Sequence, residues 1–305
     1  MFHVIMNPAS STGNGARVWN TVEAVLKEKN IEYKLYETTG PDSAKRYASD
    51  ITCDEENDIL IGIGGDGTMN EIFCGINDFS KVTLGYIPSG SGGDLARDLK
   101  ISLDPIKALE TILKPKEYKY MDVGHIVTAE CDKKFGVSAG IGFDAAVCHE
   151  ALHSKLKLFL NKLHIGKLTY VLIALKQLAG AKKTGCTVIL DDARKIHLEH
   201  FHFVTVMIHR YEGGGFKFCP AAKCDDGLMD ICVVGNINKT SFLRILPTAY
   251  SGKHLKYKGI DTYTAKKVQV VCDKPLAIHA DGEYAGVQKE LTATLCSKRV
   301  RMIVR

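Results

Sequence analysis

A glycine-rich turn between two apolar segments limits what this chain can fold into. Residues 64–68, Gly-Gly-Asp-Gly-Thr, follow the strand-like run Ile59–Ile63 and precede the helix-like run Met69–Phe73. Glycines at such a turn let the backbone approach an anion, and the following helix presents free N–H groups and the positive end of its dipole. The turn therefore predicts a strand–turn–helix unit that binds phosphate.

The same residues, read from Gly62, also fit the G-x-G-x-x-G fingerprint of dinucleotide-binding proteins. A Rossmann fingerprint usually follows the first strand of its domain. Here the first strand-like run, His3–Met6, leads into Asn7-Pro8 without that pattern, and no G-K-[ST] follows the glycines as in a Walker A loop. A dinucleotide oxidoreductase is therefore a minor alternative, as is a tight turn without a ligand.

The composition is that of a globular protein with room for two domains. Of 305 residues, 45% are hydrophobic and 25% charged, so neither disorder nor a fibrous repeat is indicated. The net charge of +5 is too small to argue for nucleic acid. Ten cysteines without a C-x-x-C pair are expected to be reduced. We expect neither a secretory signal nor a membrane span, and hence a cytosolic protein.

Two patterns divide the chain. Over residues 1–122 strand-like and helix-like runs alternate, as in the βαβ units of a parallel sheet. Over residues 123–288 short strand-like runs are separated by turn signals, which indicates antiparallel β structure. A helical insertion interrupts this second part at 145–180, and we expect the last segment, 289–305, to return to the first domain.

Two further loops follow strand-like runs of the predicted parallel sheet, whose carboxyl ends form the ligand crevice. Asn7, Pro8 and Ser10 follow the first strand, where they could bind phosphate or ribose oxygens or only form a helix N-cap. The segment Pro88–Asp94 is rich in glycine and hydroxyl groups, and its alternative is a flexible surface loop. Two glycine-rich loops at one sheet edge together favour a phosphate site.

Carboxylates occur at two turns of the second part. Asp226 precedes Gly227 between apolar runs, which is typical of a hairpin but also suits an oxygen ligand of Mg²⁺. Asp281 and Glu283 flank Gly282 after another apolar run. Either carboxylate could accept a proton from a substrate hydroxyl, or both could occupy an exposed turn.

In this order the motifs resemble those of the diacylglycerol/sphingosine lipid kinase family, especially its soluble bacterial members, over essentially the whole chain. Residues 64–71 match the family's G-G-D-G-T-x-N-E phosphate loop. Gly93 stands where the family has the asparagine of P-x-G-[TS]-x-N-D, and Ser11 where it has the glycine of N-P-x-S-G. The resemblance implies that ATP is bound by Asn7, Pro8, Ser10, Thr38, Gly64, Gly65, Asp66, Gly67, Thr68, Asn70, Glu71 and Ser91.

The resemblance also implies a fold and a reaction. A Rossmann-like, NAD-kinase-like α/β domain would join an antiparallel β-sandwich that binds lipid, with ATP in the cleft between them. Asp281, assisted by Glu283, would accept the proton of a lipid hydroxyl, in the first instance that of diacylglycerol, which would become phosphatidic acid. Asp226, with the carbonyls of Lys223 and Leu228, would bind a structural Mg²⁺.

Three other expectations concern partners and alternatives. The lysine-rich, apolar segment from Lys155 to Lys183 would line an acyl-chain pocket and favour an anionic membrane surface, or form a core helix with a solvated basic face. An exposed sheet edge could pair two copies as a homodimer. NAD kinase shares the G-G-D-G-T loop and is an alternative, as is a non-catalytic regulator that binds nucleotide and lipid.

Overall fold

The computed structural model describes residues 1–53, 58–90, 92–153, 166–180 and 183–305. Among them, sixteen strands, numbered β1 to β16 in chain order, form two sheets. The described α-helices span Ser10–Glu28, Ser43–Ile51, Asp66–Gly75, Asp94–Leu99, Pro105–Leu113, Phe143–His153, Gly166–Gly180 and Lys239–Ile245. Short 3-10 helices span Phe79–Lys81, Leu246–Ser251 and Lys253–Lys256.

The first sheet is parallel except at one edge. Its strand order is β2-β1-β3-β4-β16-β5, and β5 pairs antiparallel with β16. Strand β4 is buried along its whole length, as expected for a strand covered on both faces by helices. In chain order the strands β1 to β5 and β16 span Phe2–Met6, Tyr33–Glu37, Asp58–Gly64, Val82–Pro88, Tyr118–Met121 and Val300–Ile303.

Side chains that alternate in direction fill both faces of this sheet. Val4 of β1 packs in one buried cluster with Trp19 and Leu26 of the first helix. Its neighbour Ile5 packs in the other cluster with Phe73, which belongs to the helix after β3. This packing fixes that helix with its N-terminus at the carboxyl end of β3.

The second sheet is antiparallel, with ten strands among the described residues. Its main order is β13-β12-β11-β8-β14-β15-β6-β7, and β9 pairs with β10 and β14. Together the two sheets confirm the predicted α/β domain followed by an antiparallel, β-sandwich-like domain. The strands β6 to β15 span Gly124–Val127, Asp132–Phe135, Ser138–Gly142, Cys186–Leu190, Arg194–Leu198, Phe201–Met207, Met229–Gly235, Ile260–Ala265, Lys267–Ala280 and Glu283–Leu295.

The limits of the two domains follow from the sheets. The chain changes sheet between Met121, at the end of β5, and Gly124, at the start of β6. The structure corrects the second expected limit, 288/289, because this point lies inside β15, which pairs with β14 and β6 as far as Leu295. The return to the first sheet is confined to the strand Val300–Ile303.

The expected helical insertion is described in part. Two helices are described there, Phe143–His153, which begins two residues before the expected start, and Gly166–Gly180, whereas residues 154–165 lie outside the described residues. Of the helices in the described ranges, none has the length and apolar character needed to cross a bilayer.

Asp98, in the helix Asp94–Leu99, joins the two domains. Its carboxylate lies 2.7 Å from Nδ1 of His209 and 2.6 Å from Nε of Arg210, which follow β11 of the second sheet. Burial raises the pKa of Asp98, but the hydrogen bonds and charges of His209 and Arg210 lower it by more, so the net pKa is below its usual value. The ion pair therefore stabilises the relative position of these two elements.

The close approach of two helices in the first domain depends on Gly75. A Cβ atom at this position would lie 2.1 Å from the carbonyl oxygen of Lys45 and 2.8 Å from Cβ of Ala48. We expect Gly75→Ala to lower the free energy of unfolding by about 1–3 kcal/mol, because the helices must move apart. Urea denaturation measures this change. Gly40→Ala is the matched control, since a Cβ atom there meets no described atom within 4 Å, and equal destabilisation in both variants would contradict the prediction.

Candidate active site

The loops after β3 and β4 pack backbone against backbone. Gly64 and Pro88 are paired at the ends of these strands. The carbonyl oxygen of Gly64 accepts hydrogen bonds from the amides of Ser89 at 2.7 Å and Gly90 at 3.1 Å. A Cβ atom at Gly90 would lie 2.4 Å from Cα of Gly65, so a side chain cannot fit there. The glycines of both loops are needed for this close approach.

The loop after β1 joins the same edge of the sheet. Nδ2 of Asn7 donates to Oγ1 of Thr68 at 3.1 Å, and the hydroxyls of Ser10 and Ser89 are 2.7 Å apart. Thr38 follows β2, and its amide donates to the carbonyl oxygen of Met6 at 2.9 Å. The structure thus places predicted residues after β1, β2 and β3 at one edge of the sheet, beside Ser89 of the loop after β4. Ser91, which was also predicted to bind ATP, lies outside the described residues.

Gly93, which replaces the asparagine of the family motif, has a left-handed backbone with φ of 66°. It directly precedes the helix Asp94–Leu99. Glycine and asparagine are the residues that adopt this conformation most readily. A shared backbone requirement therefore explains why either residue can stand at this position.

Asp66, which is partly buried, and the buried Asp94 connect the phosphate loop with the loop after β4. Oδ2 of Asp66 accepts the amide of Asp94 at 3.1 Å, whereas its buried Oδ1 has no partner among the described residues. Asp94 accepts Nη1 of Arg97 and the amide of Gly214, each at 2.7 Å. Burial raises the pKa of both carboxyls, and burial together with the charge of Asp66 raises the pKa of Asp94 to about 7. These two carboxyl groups form one wall of the cleft, and each of them adds negative charge there when it is ionised.

Asp281 is enclosed by hydrogen-bond donors. Its Oδ1 accepts the amides of Val137 and Ser138 at 2.8 and 3.0 Å, and its Oδ2 accepts the amide of Gly136 and Nδ2 of Asn70 at 2.8 and 2.9 Å. Its backbone is left-handed, with φ of 50°. Burial raises the pKa of the Asp281 carboxyl, and these hydrogen bonds partly offset the rise. Both oxygens of the Asp281 carboxylate are therefore occupied by hydrogen bonds that stabilise the turn.

Glu283 lies across the cleft from the phosphate loop. A Cβ atom at Gly67 would be 2.7 Å from Oε1 of Glu283, so this carboxylate sits directly over the backbone of the G-G-D-G-T motif. Asp281 and Glu283 are both partly buried. They differ in position, because the carboxylate of Glu283 lies over Gly67 whereas that of Asp281 accepts hydrogen bonds from the amides of residues 136–138.

Two residues predicted to bind ATP have structural contacts instead. The amide of Asn70 also donates to the carbonyl oxygen of Lys134 at 2.9 Å, so both of its hydrogen bonds reach the second domain. Oε2 of Glu71 accepts the amide of Ala44 at 3.0 Å, at the start of the helix Ser43–Ile51. These side chains stabilise the elements around the loop, and the structure does not place them with the other predicted ligands.

A buried cluster of His279, Asp144 and Glu212 lies next to this turn, and no motif or spacing in the sequence predicted it. Nε2 of His279 is 3.3 Å from Oδ2 of Asp144 and 3.2 Å from Oε1 of Glu212. Burial lowers the pKa of His279, but the two carboxylates raise it by more. The amide of Gly282 points at Nδ1 from 3.2 Å, which favours a ring whose proton is on Nε2. A proton shared between Nε2 and the carboxylates uses the lone pair that a metal ion would need.

The predicted metal residues form a separate loop. Oδ1 of Asp226 accepts the amide of Leu228 at 3.1 Å, and the side chains of Asp226 and Lys223 are exposed. Nearby, burial and the charge of Asp226 together raise the pKa of Asp230 to about 6. Arg299 also lies at this loop, with Nη2 3.3 Å from the position of a Cβ atom at Gly227. The carboxylates of Asp226 and Asp230, together with backbone carbonyls, are oxygen donors of the kind that Mg²⁺ binds. The residues present therefore fit such an ion.

Comparison with known proteins identifies both domains. Residues 1–126 match the model of the diacylglycerol kinase catalytic domain, and residues 137–303 match that of the YegS C-terminal NAD kinase beta sandwich-like domain. The chain is 30% identical to YtlR of Bacillus subtilis, which is provisionally named a lipid kinase, over 92% of this chain and 93% of YtlR. It is 27% identical to a diacylglycerol kinase of Mycobacterium tuberculosis, over 92% of this chain and 88% of that protein.

Solved structures show the same fold. A Bacillus anthracis protein, provisionally titled a diacylglycerol kinase, superposes with a TM-score of 0.78 at 22% identity, covering 100% of this chain and 97% of that one. An NAD kinase from Archaeoglobus fulgidus in complex with ATP has a TM-score of 0.53 at 12% identity, covering 99% of this chain and 93% of the other. The two matched domain models and the relationship to YtlR show that the chain is a kinase and belongs to the diacylglycerol kinase-like family of lipid kinases.

Proposed function

We propose that this kinase transfers the γ-phosphoryl group of ATP to the hydroxyl of diacylglycerol, with phosphatidic acid as the product. The observation that carries the proposal is the position of Glu283, whose Oε1 would be 2.7 Å from a Cβ atom at Gly67. A carboxylate of the second domain thereby faces the phosphate loop of the first domain. The acceptor hydroxyl and the γ-phosphoryl group would meet between them.

The first domain supplies the phosphate site. The amides of residues 64–68 and the N-terminus of the helix Asp66–Gly75 present partial positive charge at the carboxyl ends of β3 and β4. The hydroxyls of Ser10 and Ser89 are 2.7 Å apart. One of them donates to the other, which leaves the second free to donate to a phosphate oxygen. Phosphoryl transfer depends mainly on such positioning and charge stabilisation.

The two carboxylates of the D-G-E turn would have separate roles. A general base needs a lone pair directed at the proton that it removes. Asp281 uses its two oxygens for four hydrogen bonds, so we assign to it the holding of the turn. We assign to Glu283, over Gly67, the acceptance of the proton from the lipid hydroxyl. This division differs from the expectation from the sequence, in which Asp281 was the acceptor.

Magnesium is the cation that this carboxylate-rich cleft would take with ATP. The buried Oδ1 of Asp66, without a partner among the described residues, is the oxygen best suited to face it. A bound Mg²⁺ neutralises phosphate charge during transfer. A second, structural Mg²⁺ would be held at Asp226 and the carbonyls of Lys223 and Leu228.

The proposed reaction is tested by labelled-phosphate transfer from Mg-ATP to a panel of diacylglycerol, ceramide, sphingosine, polyprenol and NAD in mixed micelles. We expect transfer to diacylglycerol and a loss of at least about 100-fold in turnover for Glu283→Gln, which keeps the shape but removes the base. ATP affinity should be unchanged. Glu290→Gln, an exposed residue of the same strand, is the matched control.

Other outcomes of this assay identify the alternatives. Transfer to NAD alone would make the chain an NAD kinase, which shares the fold. A lipid-dependent shift in melting temperature without any product would indicate a nucleotide- and lipid-binding regulator. Full turnover by Glu283→Gln would contradict the assignment of the proton acceptor.

Asp281→Asn separates the holding role from catalysis. In the unaltered protein both oxygens of Asp281 face N–H donors. The variant replaces one of these oxygens with an NH₂ group, so at least one N–H donor would face another donor and lose its acceptor. We expect a loss of about 2–4 kcal/mol in the free energy of unfolding, because charged-acceptor hydrogen bonds contribute roughly 1.5–3 kcal/mol each. Urea denaturation measures it. If turnover fell by about 100-fold at unchanged stability, Asp281 would be the base instead.

His279 acts as a positioning residue for Glu283 in this proposal. His279→Leu leaves Asp144 and Glu212 without their shared donor, and the turn that carries Glu283 should shift. We expect kcat to fall by about 10-fold or more while KM for ATP stays within about twofold. His279→Gln retains a side-chain N–H donor and should restore most of the lost kcat. Steady-state kinetics with both variants check this, and equal effects on kcat and KM for ATP would contradict it.

A further inference from the structure

A cap of short helices covers part of the second sheet. It consists of residues 239–258, with the helix Lys239–Ile245 and the 3-10 helices Leu246–Ser251 and Lys253–Lys256. Its inner side is buried through Phe242, Ile245 and Ala249, which pack in one cluster with residues of β11 and β12. The core therefore fixes which side of the cap faces outward.

The outward side of the cap exposes large apolar and aromatic side chains. Leu243 is 38% exposed, Tyr250 55% and Tyr257 45%. Single exposed apolar residues are common on soluble proteins. Here three of them lie within one short segment whose other side already packs on the core, so core packing does not explain them.

The same segment carries positive charge without any acidic residue. Between positions 231 and 260 the chain has five basic residues and no Asp or Glu. Over the described part of the chain, none of the five is in an ion pair with a carboxylate. On an ordinary solvated surface, positively and negatively charged side chains are mixed. The five residues are Lys239, Arg244, Lys253, Lys256 and Lys258.

The cap adjoins the cleft. The ring of Tyr250 stacks on Phe216 with 4.0 Å between centroids. Phe216 exchanges two backbone hydrogen bonds of 2.9 Å with Glu212. Glu212 contacts His279 beside the turn of Glu283, so Tyr250 lies at the border of the active site. The amide of Lys217 donates to the carbonyl oxygen of Ala249 of the cap at 2.9 Å, and its Nζ lies 5.2 Å from the ring centroid of Tyr211.

We propose that the outward side of this cap docks on an anionic phospholipid bilayer. Lysine and arginine are attracted to the negative surface potential, and tyrosine and leucine fit the boundary between headgroups and acyl chains. Because the surface adjoins the cleft at Tyr250, docking would bring the cleft to the membrane. A lipid could then reach Glu283 without crossing water. This surface differs from the segment 155–183 considered in the sequence, much of which lies outside the described residues.

The test is co-sedimentation with vesicles at physiological salt. The triple variant Lys253→Gln, Lys256→Gln, Lys258→Gln should bind vesicles of phosphatidylglycerol and phosphatidylcholine about 100-fold more weakly than the unaltered protein, at about fivefold for each charge removed. The matched control, Lys29→Gln, Lys107→Gln, Lys114→Gln, removes three exposed lysines of the first domain. It should bind nearly as well as the unaltered protein. Vesicles of pure phosphatidylcholine should bind the unaltered protein and both variants only weakly, through the part of the binding that does not depend on charge.

A second variant tests the apolar part. Leu243→Ser with Tyr257→Ser should weaken the binding that remains at high salt, because that fraction does not depend on charge. Equal losses in the two triple variants, or equal binding of the unaltered protein to neutral vesicles, would overturn the proposal. A change in the molecular mass of the cap variant in solution would also overturn it, since the surface would then bind a second copy.

Vesicle binding is measured without turnover, so a failure of docking can be distinguished from a failure of the proposed reaction. With a short-chain diacylglycerol that is soluble as a monomer, the cap variant should retain the turnover of the unaltered protein. Its rate on diacylglycerol in phosphatidylglycerol vesicles should fall along with binding. Equal loss on both substrates would show that the cap acts on the active site and not on the membrane.

Discussion

The carboxylate of Asp281 accepts hydrogen bonds from both domains, and the shape of the cleft depends on them. Three donors are amides of residues 136–138 in the second domain, and the fourth is the side chain of Asn70, in the helix that begins at the phosphate loop. A buried charge is tolerated only where such donors replace its water shell. The same bonds therefore stabilise the turn and fix its distance from the loop. Glu283 can lie over Gly67 because Asp281 does not move.

The cleft concentrates negative charge in a chain whose net charge is positive. Burial raises the pKa of Asp66, Asp94 and Asp281, and charges within the group raise those of Asp66 and Asp94 further. A nucleotide triphosphate without its cation would be repelled by this wall, whereas the loop amides and the helix dipole attract it. The proposed Mg²⁺ would make binding favourable, since one cation lowers the repulsion between the carboxylates and the phosphates.

The sequence predicted the parts of the site that depend on local pattern. Glycines at the ends of β3 and β4 could be recognised because a phosphate loop needs backbone without side chains. At Gly90 and Gly67 a Cβ atom would lie too close to neighbouring atoms. The role of Asn70 could not be predicted, because its partner Asp281 is 211 residues away. The contact of His279 with Asp144 is equally nonlocal. Pairings of this kind arise from the register of β14 with β8 and from the path of the helix that follows β8, and no spacing in the sequence encodes them.

Two segments of the second domain contact the region of the phosphate loop from different sides. The buried cluster of His279, Asp144 and Glu212 connects these two segments. On one side, His279 precedes the turn of Asp281 and Glu283 in β14. On the other, Glu212 begins the loop whose Gly214 amide binds Asp94, and the amide of Asp94 in turn binds Asp66. Because His279 contacts Glu212, a displacement of either element changes the hydrogen bonds of the other. Glu283, the proposed base over Gly67, and the wall at Asp66 are therefore positioned together, as a transfer that requires acceptor and phosphate in one geometry demands.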